Sequence, residues 1–194
     1  MTGLTVTLAC WDAWALSWVV AALWARRVAS RPPLAESLVY LVPMSLGALL
    51  LFFGSSKLSP LYGGAPLWTL PGWASWIATL AAVAGLAFTW WARITLGDLW
   101  SGAVTRKEDH VIIRAGPYRL VRHPIYSGLI LAAVALAIDV GQLANLIGAA
   151  ILILGVFLKA RLEERFLSQE LGEQAYAGYK RTTPMLVPFW PAGR

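Results

Sequence analysis

Residues 140–158 read VGQLANLIGAAILILGVFL, 19 positions without a charge, closed off by Asp139 on one side and Lys159 on the other. As a helix rising about 1.5 Å per residue, such a run crosses most of the roughly 30 Å hydrocarbon layer of a bilayer. Just upstream, residues 124–137 are apolar again, so the two runs read as a helical hairpin turning at Asp139. Its first limb has only 15 uncharged residues before Asp139, which is marginal for a full crossing. Farther upstream, runs at about residues 5–24, 37–54 and 73–94 complete the set, and residues 58–92 contain no charge in 35 positions.

The composition agrees. Of 194 residues, 58% are apolar or aromatic and 13% charged, too few polar side chains to cover a soluble domain of this length. A soluble enzyme, a disordered tail and a nucleic-acid module are excluded together. The expected fold is all-α: a polytopic integral membrane protein with about five transmembrane helices, the last two a hairpin, plus a C-terminal amphipathic helix. Residues 1–194 read as one membrane domain, with two N-terminal spans in 1–60 and a catalytic core in 93–194. The single cysteine, Cys10, lies in an apolar run and supports neither a disulfide framework nor a cysteine metal cluster.

Charge placement sets the expected orientation. Arg26, Arg27 and Arg31 follow the first apolar run, which argues for an outside N-terminus and against a cleaved signal peptide, whose basic residues precede the apolar run. The loop over residues 97–126 carries Arg106, Lys107, Arg114, Arg119 and Arg122, and the tail from Lys159 is charged as well. Of 16 Lys and Arg residues only Lys57 falls outside, leaving 15 on or near the cytoplasmic side. The net charge of +6 then reflects orientation and contact with anionic lipid headgroups, with no nucleic-acid partner. The expected location is a bacterial inner (cell) membrane, with the C-terminus and active site cytoplasmic. Trp68, Trp73 and Trp76 near one boundary and Trp90, Trp91 and Trp100 near the other read as interfacial belts.

In so apolar a chain, chemistry is expected where ionisable groups gather at the membrane edge. Residues 110–128 join both histidines, His110 and His123, to three arginines and two tyrosines within 19 positions. Gly116-Pro117 and His123-Pro124 are turn or helix-start signals within that stretch. Irregular backbone at a membrane boundary is tolerated where it lines a polar cavity or binds a ligand; a solvated loop with snorkelling arginines is the plainer alternative. The second cluster, KARLEER at 159–165, ends the last span. Leu162, Phe166, Leu167 and Leu171 recur at near-helical spacing, so this span should continue or bend into an amphipathic helix along the membrane surface. Adjacent Glu163 and Glu164 cannot share one helix face, so one carboxylate can turn inward while the other faces water.

The run Gly116-Pro-Tyr-Arg-Leu-Val-Arg122-His123-Pro124-Ile-Tyr126-Ser-Gly128, followed by Glu163-Glu164-x-x-Leu167, then Leu171-Gly172-Glu173-x-x-Tyr176-x-x-Tyr179 and Pro184, resembles the isoprenylcysteine carboxyl methyltransferase family. That family belongs to a wider group of integral-membrane methyltransferases that includes phospholipid N-methyltransferases. The resemblance covers about the last 100 residues, from Arg93 on. It implies an enzyme that uses S-adenosylmethionine, enclosed between the Arg-His-Pro loop and the Glu-Glu tail, with a lipophilic or prenylated acceptor arriving laterally from membrane lipid. By carry-over, His110, Gly116, Tyr118, His123, Pro124 and Tyr126 would line the cofactor pocket and Glu163 or Glu164 would bind its amino-acid end. Arg122, Arg161 and Glu164 would sit at the reacting groups. Here Lys159 stands where some relatives carry an arginine four residues before the first glutamate, and Arg161 stands two before it, so the cation facing the acceptor is left open between them.

The inventory suits methyl transfer, an in-line displacement helped by holding donor and acceptor in line and excluding water. A carboxylate acceptor is ionised at neutral pH and needs no base; an amine acceptor would need one, such as Glu163, Glu164 or a neutral histidine. Transfer to a carboxylate or thiol is the first expectation and amine N-methylation the second. A nicotinamide-dependent sterol-type reductase fits less well, since those chains are longer and lack the paired glutamates, and a non-catalytic scaffold would leave two converging polar clusters without a reason. No metal site is expected, because His110 and His123 are separated by 12 residues without a third ligand near them. Asp12, inside the first run, reads as a water-facing residue near the outer end.

Overall fold

The computed structural model describes residues 2–23, 33–54, 65–97, 100, 113–171 and 173–190. These form α1 (Gly3–Ala22), α2 (Leu34–Phe53), α3 (Gly72–Leu96), a 3-10 turn (Gly116–Arg119), α4 (Pro124–Val140), α5 (Leu143–Leu171) and α6 (Glu173–Thr182), with no strand among the described residues. The chain is a polytopic, all-α membrane protein. Four helices are long and apolar enough to cross a bilayer: α1, α2, α3 and, in α5, Leu143–Gln169; α4 is the shorter apolar helix.

Helix starts follow local chemistry. Thr2 caps α1, its hydroxyl accepting from the Thr5 amide at 3.3 Å. Pro124 occupies the first turn of α4, where its missing N–H is no loss. The hairpin does not turn at Asp139 as the sequence suggested. Asp139 is a buried residue of α4, and the chain reverses at Gly141, whose φ of 68° lies in the left-handed region that a side chain disfavours. Charge alone marked the turn two positions early, because a carboxylate can stay helical when its neighbours bury it.

Packing runs α1, α3, α4, α5, α2, so the second helix in sequence lies last in space, against α5. Lipid is as apolar as leucine, so small residues that let backbones approach drive such contacts. A Cβ at Gly85 of α3 would sit 2.5 Å from the Gly128 carbonyl of α4. Likewise a Cβ at Gly155 of α5 would come 2.7 Å from Met44 of α2. The central cluster is accordingly rich in alanine, with Ala82, Ala132, Ala133 and Ala149 around Trp11, Leu51, Leu86 and Leu136.

The tryptophans divide. Trp68, Trp73, Trp76 and Trp91 are exposed, in keeping with a belt. Trp90 and Trp100 instead meet Trp18 of α1, each at 5.6 Å between ring centroids, and Trp90 donates to Ser17 Oγ at 3.1 Å. These two join α1 to α3 rather than marking a boundary. Tertiary partners 70 residues away claim their indoles, which hydropathy does not register. Arg93 closes the same seam, donating to the Ala21 carbonyl at 2.7 Å with its guanidinium 4.7 Å from the Trp100 ring.

The last span continues unbroken to Leu171 in α5, and the amphipathic α6 that follows turns Tyr176 and Tyr179 inward. Leu162 is used inside as well, packed with Tyr40 of α2.

Candidate functional site

The loop before α4 is shaped by glycine and proline. Gly116 has a φ of 53°, and a Cβ there would lie 3.0 Å from Thr95 Oγ1 and 3.2 Å from Trp91 Nε1, so only glycine fits the backbone and the space together. Pro117 starts the 3-10 turn, and its carbonyl accepts from the amides of Leu120 and Val121 at 3.0 and 3.2 Å. Tyr118 is thereby buried, with its carbonyl accepting from the Tyr179 hydroxyl of α6 at 2.7 Å. The segment after α6 then straps the loop: the Arg122 amide donates to the Pro184 carbonyl at 2.9 Å and the His123 amide to the Met185 carbonyl at 3.1 Å.

On α5, Glu163 and Glu164 point about 100° apart and are received differently. Glu164 Oε1 accepts from Arg122 Nε at 2.6 Å and lies 3.3 Å from His123 Nε2, while its Oε2 is 3.3 Å from Lys180 Nζ of α6. Arg122 also donates to the carbonyls of Thr183 and Lys180. Both side chains of the Arg122–Glu164 pair are 7% exposed. Glu163 Oε1 accepts from the Tyr126 hydroxyl at 2.5 Å, and its Oε2 is 3.5 Å from His123 Nδ1. At 21% exposure Glu163 is the more open carboxylate.

His123 joins the two. Its ring stacks on Tyr126, with centroids 5.5 Å apart and planes 10° from parallel, and presents one nitrogen to each glutamate. Burial disfavours its charge, but hydrogen bonds to Glu163 and Glu164 outweigh that and hold its pKa above the ordinary 6.5. Only the imidazolium donates from both nitrogens. Burial likewise pushes the Tyr179 phenol up to about 12, against the opposing pull of Arg122 and Arg114.

Most of the residues expected from the sequence converge here: Tyr118, Arg122, His123, Pro124, Tyr126, Glu163 and Glu164 are all wholly or mostly buried around one cluster, beside the Gly116 turn. His110 lies outside the described residues. Arg161 is not brought in; it is exposed, its guanidinium 5.8 Å from the Phe157 ring. Lys159 turns inward instead, 7% exposed, with its ammonium 5.6 Å from the Tyr40 ring and 5.4 Å from the Tyr126 ring. Two positions apart on a helix is about 200°, so one of the pair had to face away from the cluster.

Sequence reasoning missed Tyr40, Lys180 and Thr183. Tyr40 sits in a span without a motif and only the α2–α5 contact brings it near. Lys180 follows the inward Tyr176 by four positions, a spacing that could have placed it on the same face of α6.

Known proteins are similar to this chain over the same stretch. The sequence model of the isoprenylcysteine carboxyl methyltransferase (ICMT) family matches residues 76–169, a stretch that holds the whole loop and both glutamates. Over this stretch, just under half of its length, the chain is similar to the ICMT family. Protein-S-isoprenylcysteine O-methyltransferase B of Arabidopsis thaliana is 31% identical over 87 residues, 44% of each chain. Cobalt-zinc-cadmium resistance protein CzcN of Cupriavidus metallidurans is 30% identical over 119 residues, 59% of this chain and 52% of that one. Methanethiol S-methyltransferase 1 of Bradyrhizobium diazoefficiens is 39% identical over 72 residues, 37% of this chain and 24% of that one. The chain thus spans about half or less of the length of these relatives.

Proposed function

We propose that the protein is an S-adenosylmethionine-dependent methyltransferase acting on a lipophilic anionic acceptor, a carboxylate or thiolate, at the cytoplasmic membrane face. The observation that carries this reading is the convergence of Arg122 and His123 with Glu163 and Glu164, about 40 positions away in sequence, into one buried ionic cluster at one end of otherwise apolar helices. Ionisable groups at the edge of a bilayer are costly to bury without a task. One relative is named as an O-methyltransferase and another as an S-methyltransferase, and acceptor atoms of both kinds react as anions.

The residues fit the cofactor. Glu163, the more open carboxylate, suits an α-amino group, and the flat faces of Tyr118 and Tyr126 suit a sulfonium and an adenine. The Gly116 turn, packed against Thr95 and Trp91, fixes the course of the loop that carries Tyr118. When bound, S-adenosylmethionine supplies a methyl group on a positively charged sulfur, ready for in-line displacement. Around it, Arg122, Glu164, Lys180 and the strap hold the loop closed and exclude water, so that orientation does much of the catalysis. His123, its pKa raised by its hydrogen bonds to the two glutamates, presents one ring nitrogen to each carboxylate and holds both in place. Lys159 attracts an anionic acceptor, and an ammonium acceptor would meet a like charge there. A carboxylate acceptor needs no base, since it is already ionised at neutral pH, and a thiol acceptor would enter as its thiolate, having lost its proton to water.

Calorimetric titration of the detergent-purified protein with S-adenosylmethionine, S-adenosylhomocysteine and NADPH tests the class. Saturable binding of the first two alone is expected; binding of NADPH alone would replace this reading with lipid double-bond reduction. An acceptor screen then starts with prenylated thiol acids, and methylation of amines in preference to acids would overturn the anionic assignment.

A further inference from the structure

α2 lies outside the stretch that is similar to the ICMT family, yet it packs on α5 in a strict register. The two helices run in opposite directions and meet through glycine. A Cβ at Gly148 would run into the Leu51 backbone, one at Gly47 into the Leu152 backbone, and one at Gly155 into Met44. From Leu51 to Gly47 to Met44, α2 steps back 4 and then 3 positions, while α5 steps forward 4 and then 3, from Gly148 to Leu152 to Gly155. Each step is about one helical turn, and backbone contacts of this kind leave no slack, so they fix both the depth and the rotation of α2. The next step, 4 positions on each helix, sets Tyr40 against Lys159.

There the Lys159 ammonium lies 5.6 Å from the centre of the Tyr40 ring and 5.4 Å from that of the Tyr126 ring. One ring comes from α4, stacked on His123, and the other from α2. Tyr40 is 3% exposed and Lys159 7%, so neither is a loose surface group. An aromatic face attracts a cation through its quadrupole and, unlike a carboxylate, leaves the charge in place. Glu163, one turn beyond Lys159, directs its oxygens to Tyr126 and His123. A lysine carries its charge on a flexible four-carbon stem, so aiming that charge takes walls.

We propose that Tyr40 is a positioning residue: its ring, held in place by α2, aims the Lys159 ammonium at the anionic group of the acceptor. A span outside the family stretch thereby helps to decide which acceptors the site takes. This rests on the reading of Lys159 as the cation that attracts an anionic acceptor. The plainer role for Tyr40, filling space among Met44, Leu158, Leu162 and Phe166, would need bulk alone.

Methylation kinetics of the full chain in liposomes, with a prenylated thiol acid as acceptor, separate the two roles when read beside calorimetric S-adenosylhomocysteine binding and thermal unfolding. Tyr40→Leu and Tyr40→Met fill the space without an aromatic face. Each should raise the acceptor KM about fivefold, with kcat and S-adenosylhomocysteine affinity within about twofold of wild type. Tyr40→Phe, which keeps the face, should restore the wild-type KM. In a Lys159→Met background, Tyr40→Leu should add less than about twofold, because its effect runs through the ammonium. An unchanged KM in both apolar variants, a Tyr40→Phe enzyme as impaired as they are, or a full further loss without Lys159 would overturn the placement of Tyr40 and leave the methyltransferase reading standing. Apolar variants that unfold, or that lose cofactor affinity in step with KM, would make Tyr40 a packing residue and overturn it too. A wild type that binds no S-adenosylhomocysteine and methylates no acid would overturn the reading of the site, and this inference with it.

Discussion

At one end of the α4–α5 hairpin every carboxylate oxygen of Glu163 and Glu164 lies within 3.5 Å of a side-chain partner, contributed by the loop, α4 and α6. At the other end, beside Gly141, Asp139 Oδ2, Gln142 Oε1 and Asn145 Oδ1 are buried without a hydrogen-bond partner among the described residues. Both ends bury polar groups between the same two helices. The first spends them on one another and so fixes their geometry, as a site for ordered chemistry requires. The second leaves acceptors unpaired and is the softer end of the hairpin.

The sharpest way to break this contrast is Arg122→Ala. It strands a buried carboxylate and frees the strap, so turnover should fall at least about a hundredfold and stability by about 3 kcal/mol. Asp139→Asn at the opposite end should cost under about 1 kcal/mol. Thermal unfolding in detergent beside a methylation assay reads both, and equal costs would erase the distinction.

Lys159→Met comes next. It should raise the acceptor KM about tenfold while cofactor binding stays within about twofold, because the lost group is a charge toward the acceptor. Arg161→Ala should move neither by more than about twofold, since that guanidinium is exposed. If Arg161 proves the more sensitive, the inward face of α5 has been misassigned.

At the turn, Gly141→Ala forces a side chain into the left-handed region and against Trp68, with an expected cost of about 1–2 kcal/mol in thermal unfolding. The smallest effect is the pH response of the ionic end. The pKa of His123 is raised on folding, so its contribution is complete below the ordinary 6.5 and fades as pH rises through the folded value. Tm should therefore decline on the alkaline side of about 6.5, and His123→Gln should flatten that decline. A slope unchanged in the variant would assign the titration to another group.

Much of the site was legible because its residues cluster in two short runs. Gly116 and Pro124 announced the turn and the helix start, and the Arg122-His123 and Glu163-Glu164 pairs announced where charge gathers. Which glutamate meets which partner was not legible, since adjacent helix positions differ by about 100° and only the rotation of α5 decides. The choice between Lys159 and Arg161 was open for the same reason. Trp90 and Trp100 looked like boundary residues because hydropathy reports amphipathic character and says nothing of a partner on α1.

The sequence by itself determined that this chain is a bundle of membrane helices with its ionic chemistry at one end. Hydrophobic length and the absence of charge are local properties, and the bilayer acts on each segment separately. Only the tertiary structure decided that α2 lies against α5, that Tyr40 meets Lys159, that α6 folds inward over the loop, and that Asp12 faces outward. Those outcomes depend on the close approach of helices at Gly85, Gly128 and Gly155 and on how each helix is turned about its axis, which no single segment encodes.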